Sequence, residues 1–308
     1  MKNEQWTKEN IPDLTGKIIV VTGGNSGLGY EAVKAFAVNG AEVILASRSV
    51  ENGENAKKQM GEVKGKIVVM QLDLSDFESI RKFADTFTKK YTRLDVLLNN
   101  AGIMMTPYFT TKDGLEAQNG INHFGHFALT GQLFDVIKST PNSRIVNVSS
   151  IAHKQGEMDF ENPLFENGKG YSSTKSYGRS KLSNLLFTYE LQRRIEASGL
   201  KPMAVAAHPG VSDTNLARYL EDKFLFKILK VLMSPFFQSA EMGALPEIRA
   251  SVDENVKAGE YYGPDGFREM KGYPVKVKSN EASHSVADAK KLWKLSEEIT
   301  GIKFLSDQ

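Results

Sequence analysis

The stretch 17–29, KIIVVTGGNSGLG, decides the fold of this chain. Its first part, 17–22, is an uninterrupted apolar and β-branched run, which is typical of a strand covered on both faces. A glycine-rich loop follows at once. Residues 30–39 then place apolar side chains on one helical face, and Gly40 ends the pattern. Strand, loop and helix together predict a βα unit whose loop approaches a ligand at the amino terminus of the helix.

The glycine loop has the spacing T-G-x-x-x-G-x-G. Glycine lets the backbone turn sharply and come close to a pyrophosphate, and the next helix offers free N–H groups there. A tight turn without a ligand is the alternative, and the strand–loop–helix context favours a dinucleotide site. The residues expected to contact the cofactor are Gly23, Asn25, Ser26, Gly27, Leu28 and Gly29.

Further apolar runs predict more strands, separated by helical patterns. The predicted strands cover 42–47, 66–72, 94–98, 144–149, 203–207 and, briefly, 260–262. The predicted helices include 112–138, 171–198, 240–251 and 287–299. This alternation predicts an α/β fold, a single-domain, doubly wound parallel sheet of the Rossmann type with helices on both faces. Ligands of such sheets lie at the carboxyl ends of the strands.

The end of the second predicted strand bears on the choice of cofactor. An acid at this position would bind the adenosine ribose, but the chain has Ser47-Arg48 instead. Because a guanidinium pairs with phosphate through its planar fork, Arg48 favours NADP(H), with NAD as the alternative. A surface arginine that binds nothing is the other interpretation.

The next two strand ends supply further candidates. Asp73, followed by Leu74, can accept a hydrogen bond from the adenine amino group, or it can cap the helix expected to begin near Asp76. After the fourth strand, the small and amide residues suit a backbone that lies against a cofactor. Those residues are Asn99, Asn100, Ala101 and Gly102.

Composition limits the function classes. The chain has 308 residues, 41% of them hydrophobic and 25% charged, with a net charge of +2 that indicates no nucleic-acid partner. It has no cysteine, which excludes disulfides and thiolate chemistry. We expect no membrane span, no amino-terminal anchor or signal peptide, and a cytoplasmic location. The five histidines are scattered, so we expect no metal site, and His123 and His126 are interpreted as lying near the cofactor or the core.

The stretch Tyr177-Gly-Arg-Ser-Lys181 places a tyrosine and a lysine one helical turn apart, on the same face. An ammonium beside a phenol favours the phenolate, so Lys181 is expected to lower the pKa of Tyr177. The tyrosine then exchanges protons near neutral pH with a substrate carbonyl. The pattern is weak alone and depends on the elements that precede it.

Taken together, these motifs resemble the short-chain dehydrogenase/reductases, in their single-domain branch. The matches run in family order over residues 14–250 and include the glycine loop, Asp73, the Asn-Asn-Ala-Gly stretch, Asn122, Ser150, the Tyr177/Lys181 pair and Pro209-Gly210. Longer matches such as 122–127 and 177–184 look like the retinol-dehydrogenase-like and protochlorophyllide-reductase-like subgroup. The interval from Ser150 to Tyr177 is longer than in many family members.

The resemblance implies roles for individual residues. Tyr177 would be the general acid/base, Lys181 would bind the nicotinamide ribose, Ser150 rather than Ser149 would polarise the carbonyl, and Asn122 would position a relay water. It also implies a homodimer or homotetramer. Residues implied to lie against the cofactor are Asn99, Ala101, Gly102, Tyr177, Lys181, Pro209, Gly210, Val211 and Thr214.

The sequence therefore predicts one domain, 1–308, with a lid or pocket segment near 211–240 and a carboxyl-terminal extension, 259–308. The apolar stretch 223–237 is expected to be a lid or pocket wall, with a membrane-surface helix as the alternative. The predicted reaction is hydride transfer between a nicotinamide and a carbonyl or alcohol of an apolar small-molecule substrate. Alternatives are a non-catalytic NADP(H) sensor and a reductase of a ring carbon–carbon double bond.

Overall fold

The computed structural model describes residues 5–212 and 237–305. One sheet of eight strands runs through them in the order β3-β2-β1-β4-β5-β6-β7-β8. The strands are β1 (Ile18–Thr22), β2 (Glu42–Ser47), β3 (Lys66–Gln71), β4 (Val96–Asn99), β5 (Arg144–Val148), β6 (Met203–Ala207), β7 (Tyr261–Pro264) and β8 (Pro274–Lys276).

Helices connect the strands and cover both faces of the sheet. The longer ones are α1 (Gly27–Val38), α2 (Val50–Met60), α3 (Phe77–Lys90), α4 (Gly125–Ser139), α5 (Ser173–Ala197), α6 (Ala240–Val252) and α7 (Val286–Thr300). A short helical turn, Ala117–Asn119, and a π-helical turn, Gly120–Phe124, lead into α4.

The strands that pair with β1 determine where the main crevice of the sheet lies. On one side β1 pairs with β2, where Val20 lies opposite Ile44, and on the other side it pairs with β4, where Val20 lies opposite Leu97. All neighbouring strands are parallel except β7 and β8, which are antiparallel. The chain order reverses between β1 and β4, so this is the switch point at which doubly wound sheets bind ligands.

Alternate residues of β1 enter two separate cores, which explains its continuous apolar sequence. Ile19 and Val21 pack with Phe36 of α1 and with α6 on one face. Val20 packs with Phe127 of α4, and with α3 and α5, on the other. Burial of one such side chain contributes about 1.5–3 kcal/mol. The predicted fold class, a doubly wound parallel sheet with helices on both faces, is confirmed.

Three details differ from the sequence prediction. The helix expected over 112–138 begins only at Ala117, because Glu116 caps the backbone N–H groups of the next turn. The antiparallel strand β8 and the helix α2 were not predicted. Among the described residues, no helix has both the length and the apolarity to cross a membrane. Residues 213–236, which include Thr214 and most of the predicted lid, lie outside the described residues.

Candidate functional site

A cleft of about 280 Å³ opens at the carboxyl ends of β1, β2, β3 and β4. It brings together eleven residues that the sequence predicted as cofactor contacts: Gly23, Asn25, Ser26, Gly27, Leu28, Gly29, Arg48, Asp73, Leu74, Ala101 and Gly102. It is also lined by Thr22, which opens the glycine motif, and by residues that the sequence did not single out, among them Ser49, Asn52 and Ile121.

The glycine loop is shaped by backbone contacts that leave no room for side chains. Gly23 and Gly27 have positive φ angles of 68° and 56°, which glycine adopts without strain. A Cβ on Gly29 would lie 2.5 Å from the carbonyl oxygen of Gly23 and from Nδ2 of Asn100. Ser26, at the amino end of α1, makes no side-chain capping bond, so its first turn presents N–H groups to the cleft. This cradle fits a pyrophosphate.

Thr22 joins the glycine loop to the end of β4. Its hydroxyl oxygen accepts hydrogen bonds from the backbone N–H groups of Asn100 and Ala101, both at 2.9 Å. It lies 2.9 Å from Nε2 of His126, whose Nδ1 bonds the carbonyl oxygen of Asn122 at 3.0 Å. Since a carbonyl only accepts, Nδ1 carries the proton and Thr22 donates to Nε2. His126 therefore connects the cofactor cleft to the predicted relay residue.

At the second and third strand ends, Arg48 and Asp73 face the cleft differently. Arg48 is exposed, and its guanidinium has no partner among the described residues. Asp73 accepts hydrogen bonds from the backbone and hydroxyl of Ser75, at 2.9 and 2.6 Å. The cap of α3 is Asp76, which accepts from the N–H groups of Glu78 and Ser79. Asp73 thus shapes the turn after β3 and does not cap the helix.

Asn99 lies outside the lining of the cleft. Its side chain is buried on the opposite side, where Nδ2 donates to Thr130 at 3.1 Å and to Asn147 at 2.8 Å. It is the last residue of β4, and strand alternation turns its side chain towards α4. The next residues, Asn100 to Gly102, form the cleft wall.

At the other end of the strand tips, Tyr177 and Lys181 project from α5. Tyr177 is buried, and the side chain of Ser150 lies beside its hydroxyl. Lys181 Nζ lies 5.8 Å from the centre of the Tyr177 ring and donates to the carbonyl of Val148 at 3.0 Å. The three predicted reactive residues therefore meet at one place.

The pKa of Tyr177 moves opposite to the direction expected from the sequence. Burial raises it to about 12, and the neighbouring Ser150 hydroxyl opposes this only in part. Burial also lowers the pKa of Lys181 to about 8. Desolvation disfavours the charged form of both groups, so Tyr177 is a protonated phenol at neutral pH.

The structure distinguishes the roles of the two adjacent serines, Ser149 and Ser150. The sequence chose between them only through the family resemblance. Ser149 donates its hydroxyl hydrogen to the backbone carbonyl of Lys181 at 2.8 Å, a contact that ties β5 to α5. Ser150 begins the following turn, where its side chain accepts from Ala152 and meets Tyr177. Ser150 is the serine whose hydroxyl faces the predicted acid.

Asn122 lies in the π-helical turn, a distortion often found at functional sites. Its Oδ1 accepts from the backbone N–H of Ile103 at 2.9 Å. Its Nδ2 donates to the carbonyl of Ile103 and to Ser180, both at 3.0 Å. The side-chain amide thus joins the loop after β4 to α5. The backbone carbonyl of Asn122 also accepts a hydrogen bond, from Nδ1 of His126 at 3.0 Å.

The segment after β6 is clamped from two sides. The N–H of Val211 donates to Met270 at 2.7 Å, and Gln238 Nε2 donates to the carbonyl of Pro209 at 2.7 Å. Gly210 has a φ of 66°, and a Cβ there would lie 2.4 Å from the carbonyl oxygen of Met270. The predicted residues Pro209, Gly210 and Val211 are thus fixed at the strand tips, beside but outside the lining of the cleft.

Glu247 of α6 is a buried acid that the sequence analysis did not single out. It is 1% exposed, and neither carboxylate oxygen has a hydrogen-bond partner among the described residues. Burial raises its pKa to about 8, against the opposing attraction of Lys181. In sequence it is one residue inside an ordinary amphipathic helix, so no local signal marks it.

Comparison with known proteins identifies the class. A family model described as short chain dehydrogenase matches residues 17–224. The chain therefore belongs to the short-chain dehydrogenase family, whose members bind NAD(P), and it is an oxidoreductase acting on CH–OH donors.

The relatives place it further within the family. The chain is 38% identical to mouse retinol dehydrogenase 12 over 94% of its length and 88% of the relative. It is 42% identical to human retinol dehydrogenase 11 over 79% and 75% of the two chains. A solved structure from Mycobacterium paratuberculosis has a TM-score of 0.82 at 38% identity, covering 98% and 99%. The resemblance to the retinol-dehydrogenase-like subgroup is confirmed.

Proposed function

We propose that this oxidoreductase uses NADP(H) to interconvert a carbonyl and an alcohol on an apolar substrate, with Tyr177 as general acid/base. The observation that carries the proposal is the meeting of the Ser150 hydroxyl, the buried Tyr177 phenol and the Lys181 ammonium beside the cleft. This arrangement can polarise a carbonyl oxygen and protonate it in one place.

Different residues of the site would bind different parts of the dinucleotide. The glycine loop and the uncapped turn of α1 would hold the pyrophosphate, Arg48 the 2′-phosphate, and Lys181 the nicotinamide ribose. The bound cofactor would supply the hydride. Arg48 supports the NADP(H) preference because its guanidinium faces the cleft without a partner among the described residues.

The protonation state of Tyr177 supports carbonyl reduction at neutral pH. A phenol whose pKa is about 12 keeps its proton until an acceptor develops charge. The Ser150 hydroxyl lies beside the same phenol, so a carbonyl oxygen between them would receive two hydrogen bonds. Lys181 would then return a proton to Tyr177 through a water that donates a hydrogen bond to the backbone carbonyl of Asn122. The shared contact with His126 fixes that carbonyl.

An apolar aldehyde of the retinal type is the proposed substrate class. Two relatives are named retinol dehydrogenases, and the apolar, aromatic sequence 223–237 supports a similar substrate. A homodimer or homotetramer is part of the same proposal and rests on the family resemblance, with sedimentation as its test. The cytoplasmic location stays a prediction.

The test is a turnover assay on the purified chain. NADPH and NADH are each offered with retinal, a long-chain aliphatic aldehyde and a short polar aldehyde, and loss of nicotinamide absorbance is followed. We expect NADPH to give a kcat/KM at least about tenfold above NADH, and the apolar aldehydes to be preferred. Absence of turnover with every aldehyde, in a preparation that binds NADPH, would refute the proposed function.

A further inference from the structure

We call the strand tips around Ser150, Tyr177 and Lys181 the reaction end. Three buried histidines each connect this reaction end to a distant part of the chain. In sequence, each lies one to three residues from a predicted site residue: His123 beside Asn122, His153 after Ser150, and His208 before Pro209. Each ring reaches a residue in the carboxyl-terminal segment 261–305, most of which lies beyond every site motif. These contacts form one pattern, with each ring meeting a different element of that segment.

His153 connects the turn of Ser150 to the segment. Its Nδ1 lies 2.6 Å from the carbonyl oxygen of Ser150, and its Nε2 accepts from the backbone N–H of Asn280 at 3.2 Å. The side chain of Asn280 donates back to the carbonyl of His153 at 3.2 Å. Because a carbonyl only accepts and an amide N–H only donates, the ring is neutral with its proton on Nδ1. Burial, which lowers its pKa to about 4, keeps it so.

His208 connects the Pro209–Gly210 turn to the hairpin between β7 and β8. Its Nδ1 accepts from the backbone N–H of Gly210 at 3.2 Å, so its proton is on Nε2. That atom faces Oε2 of Glu269 at 3.1 Å, without the alignment of a linear hydrogen bond. Lys154 holds the other oxygen of Glu269 at 3.2 Å. With the bond from Val211 to Met270, the hairpin grips the turn at two points.

The hairpin is strained where it makes this contact. Arg268 and Glu269 are consecutive non-glycine residues with φ angles of 51° and 59°. Such backbone conformations are unfavourable for residues with a Cβ and persist where the surroundings hold them. The contact of Glu269 with the fully buried His208 is such a constraint. Strain at this point indicates that the fold fixes the position of the Glu269 carboxylate, and not only the length of the loop.

His123 completes the pattern on α7. Its Nε2 lies 2.9 Å from the hydroxyl oxygen of Ser296, which donates its own hydrogen to the carbonyl of Leu292 at 2.7 Å. The imidazole therefore donates, and the contact fixes the ring next to Asn122 in the π-helical turn. The ring also packs edge-on against Phe187 of α5.

We propose that the carboxyl-terminal segment 261–305 positions the reaction end through these three histidines, with His153 orienting Ser150 and His208 orienting the Pro209–Gly210 turn. The roles given to Ser150 and to this turn rest on the proposed function. The three are positioning residues, since each acts through a neighbour. The segment is then a working part of the site, and the contacts of His153 and His208 each have their own kinetic signature.

The first test is a matched pair at His153. His153→Asn keeps a donor near Nδ1 for Ser150 and loses the acceptor for Asn280, whereas His153→Gln keeps an acceptor near Nε2 and loses the donor. We expect each to lower kcat at saturating NADPH by at least about fivefold, the effect of one hydrogen bond. The dissociation constant of NADPH stays within about twofold. A wild-type kcat in the Asn variant would show that the segment does not act on Ser150.

The second test is at Glu269. Glu269→Ala should raise the dissociation constant of NADPH by at least about fivefold, because the Pro209–Gly210 turn, which is implied to lie against the cofactor, loses one of its two contacts with the hairpin. Glu269→Gln, which can still accept from His208, should restore most of the affinity. The control is Lys290→Ala, at an exposed lysine of the same segment, which should change neither constant. Equal changes of kcat and affinity in all variants would refute positioning and indicate a general loss of packing.

A third readout needs neither cofactor nor substrate. The backbone N–H groups of Gly210 and Val211 are protected by His208 and Met270. Glu269→Ala should therefore speed amide hydrogen exchange in a peptide spanning 208–212, and the His153 variants should leave that peptide unchanged. Unchanged exchange in Glu269→Ala overturns the inference. Failure of the wild type to reduce any carbonyl overturns the proposed function alone.

Discussion

The glycine-loop half of the cleft and the reaction end lie along the same edge of the sheet, yet they are built differently. The first is made of backbone and small side chains from loops that directly follow β1 and β4. The second is made of buried titratable side chains from widely separated segments: His123, His126, His153, Tyr177, Lys181, His208 and Glu247. A short motif is enough for the first, whereas the second exists only when α4, α5, α6 and the carboxyl-terminal segment have packed.

The sharpest test of the reaction end is the loss of one hydroxyl. Tyr177→Phe should lower kcat by about 10²–10⁴-fold, because a positioned acid contributes that much, and should leave NADPH affinity nearly unchanged. Steady-state kinetics and a binding titration measure the two effects. Tyr108→Phe, at a partly exposed tyrosine, is the control. Near-normal turnover in Tyr177→Phe would remove the chemical distinction between the two halves.

A second test concerns the buried acid at the reaction end. The folded state raises the pKa of Glu247 from its ordinary 4.5 to about 8. The folded state therefore loses stability as pH rises from 4.5 towards 8, by about 1.4 kcal/mol for each pH unit. Glu247→Gln should be increasingly more stable than the wild type over that range, as measured by urea unfolding from pH 5 to pH 8.

The same helix offers a control of opposite sign. The hydrogen bond with Lys8 lowers the pKa of Glu241, so its contribution is lost as pH falls. Glu241→Gln should be slightly less stable than the wild type at pH 8. A pH-independent difference for Glu247→Gln would show that this carboxyl is not held protonated by burial.

Packing in the glycine-loop half can be broken by a single methyl group. Gly29→Ala should destabilise the fold by about 1–3 kcal/mol, because its Cβ would overlap backbone and the Asn100 amide. NADPH affinity should fall as well, with kcat at saturation little changed. Thermal unfolding and a binding titration check this, and Val38→Ala at the exposed end of α1 should alter neither. A drop in kcat with intact affinity would contradict the division between the two halves.

The smallest expected effect is on cofactor choice. Arg48→Ala should raise the KM for NADPH by about tenfold and the KM for NADH by less than about twofold, because only NADPH carries the 2′-phosphate. Arg48→Lys should lie between, since it keeps the charge and loses the planar fork. Initial rates measured with each cofactor give the KM values for this comparison. Equal effects on the two would remove the assignment of Arg48.

The strands were predictable because each carries its own signal. β1 is apolar at every position except its last, Thr22, since both faces are covered, and β2 to β6 each carry a similar apolar run. Local signals fail for β8, a three-residue strand that forms only where β7 offers an antiparallel partner. They also fail at Gly120–Phe124, where a π-helical turn interrupts an otherwise helical pattern.

Side-chain direction and protonation were the parts that the sequence did not supply. Asn99 belongs to a cofactor-like motif, but strand alternation turns its side chain away from the cleft. Lys181 was expected to lower the pKa of Tyr177, but the burial of the phenol raises it. The partners of His153 and His208 in the carboxyl-terminal segment, Asn280 and Glu269, are more than 60 residues away along the chain. Sequence spacing does not predict contacts over such distances.

The sequence by itself determined the sheet, the glycine loop and the Tyr177/Lys181 pair, because hydrophobic period, glycine geometry and helical spacing act over a few residues. Tertiary structure decided which serine meets Tyr177, which way Asn99 points, and how the carboxyl-terminal segment reaches the reaction end. Burial and hydrogen bonding between distant segments set these properties, and both arise only after the layers pack.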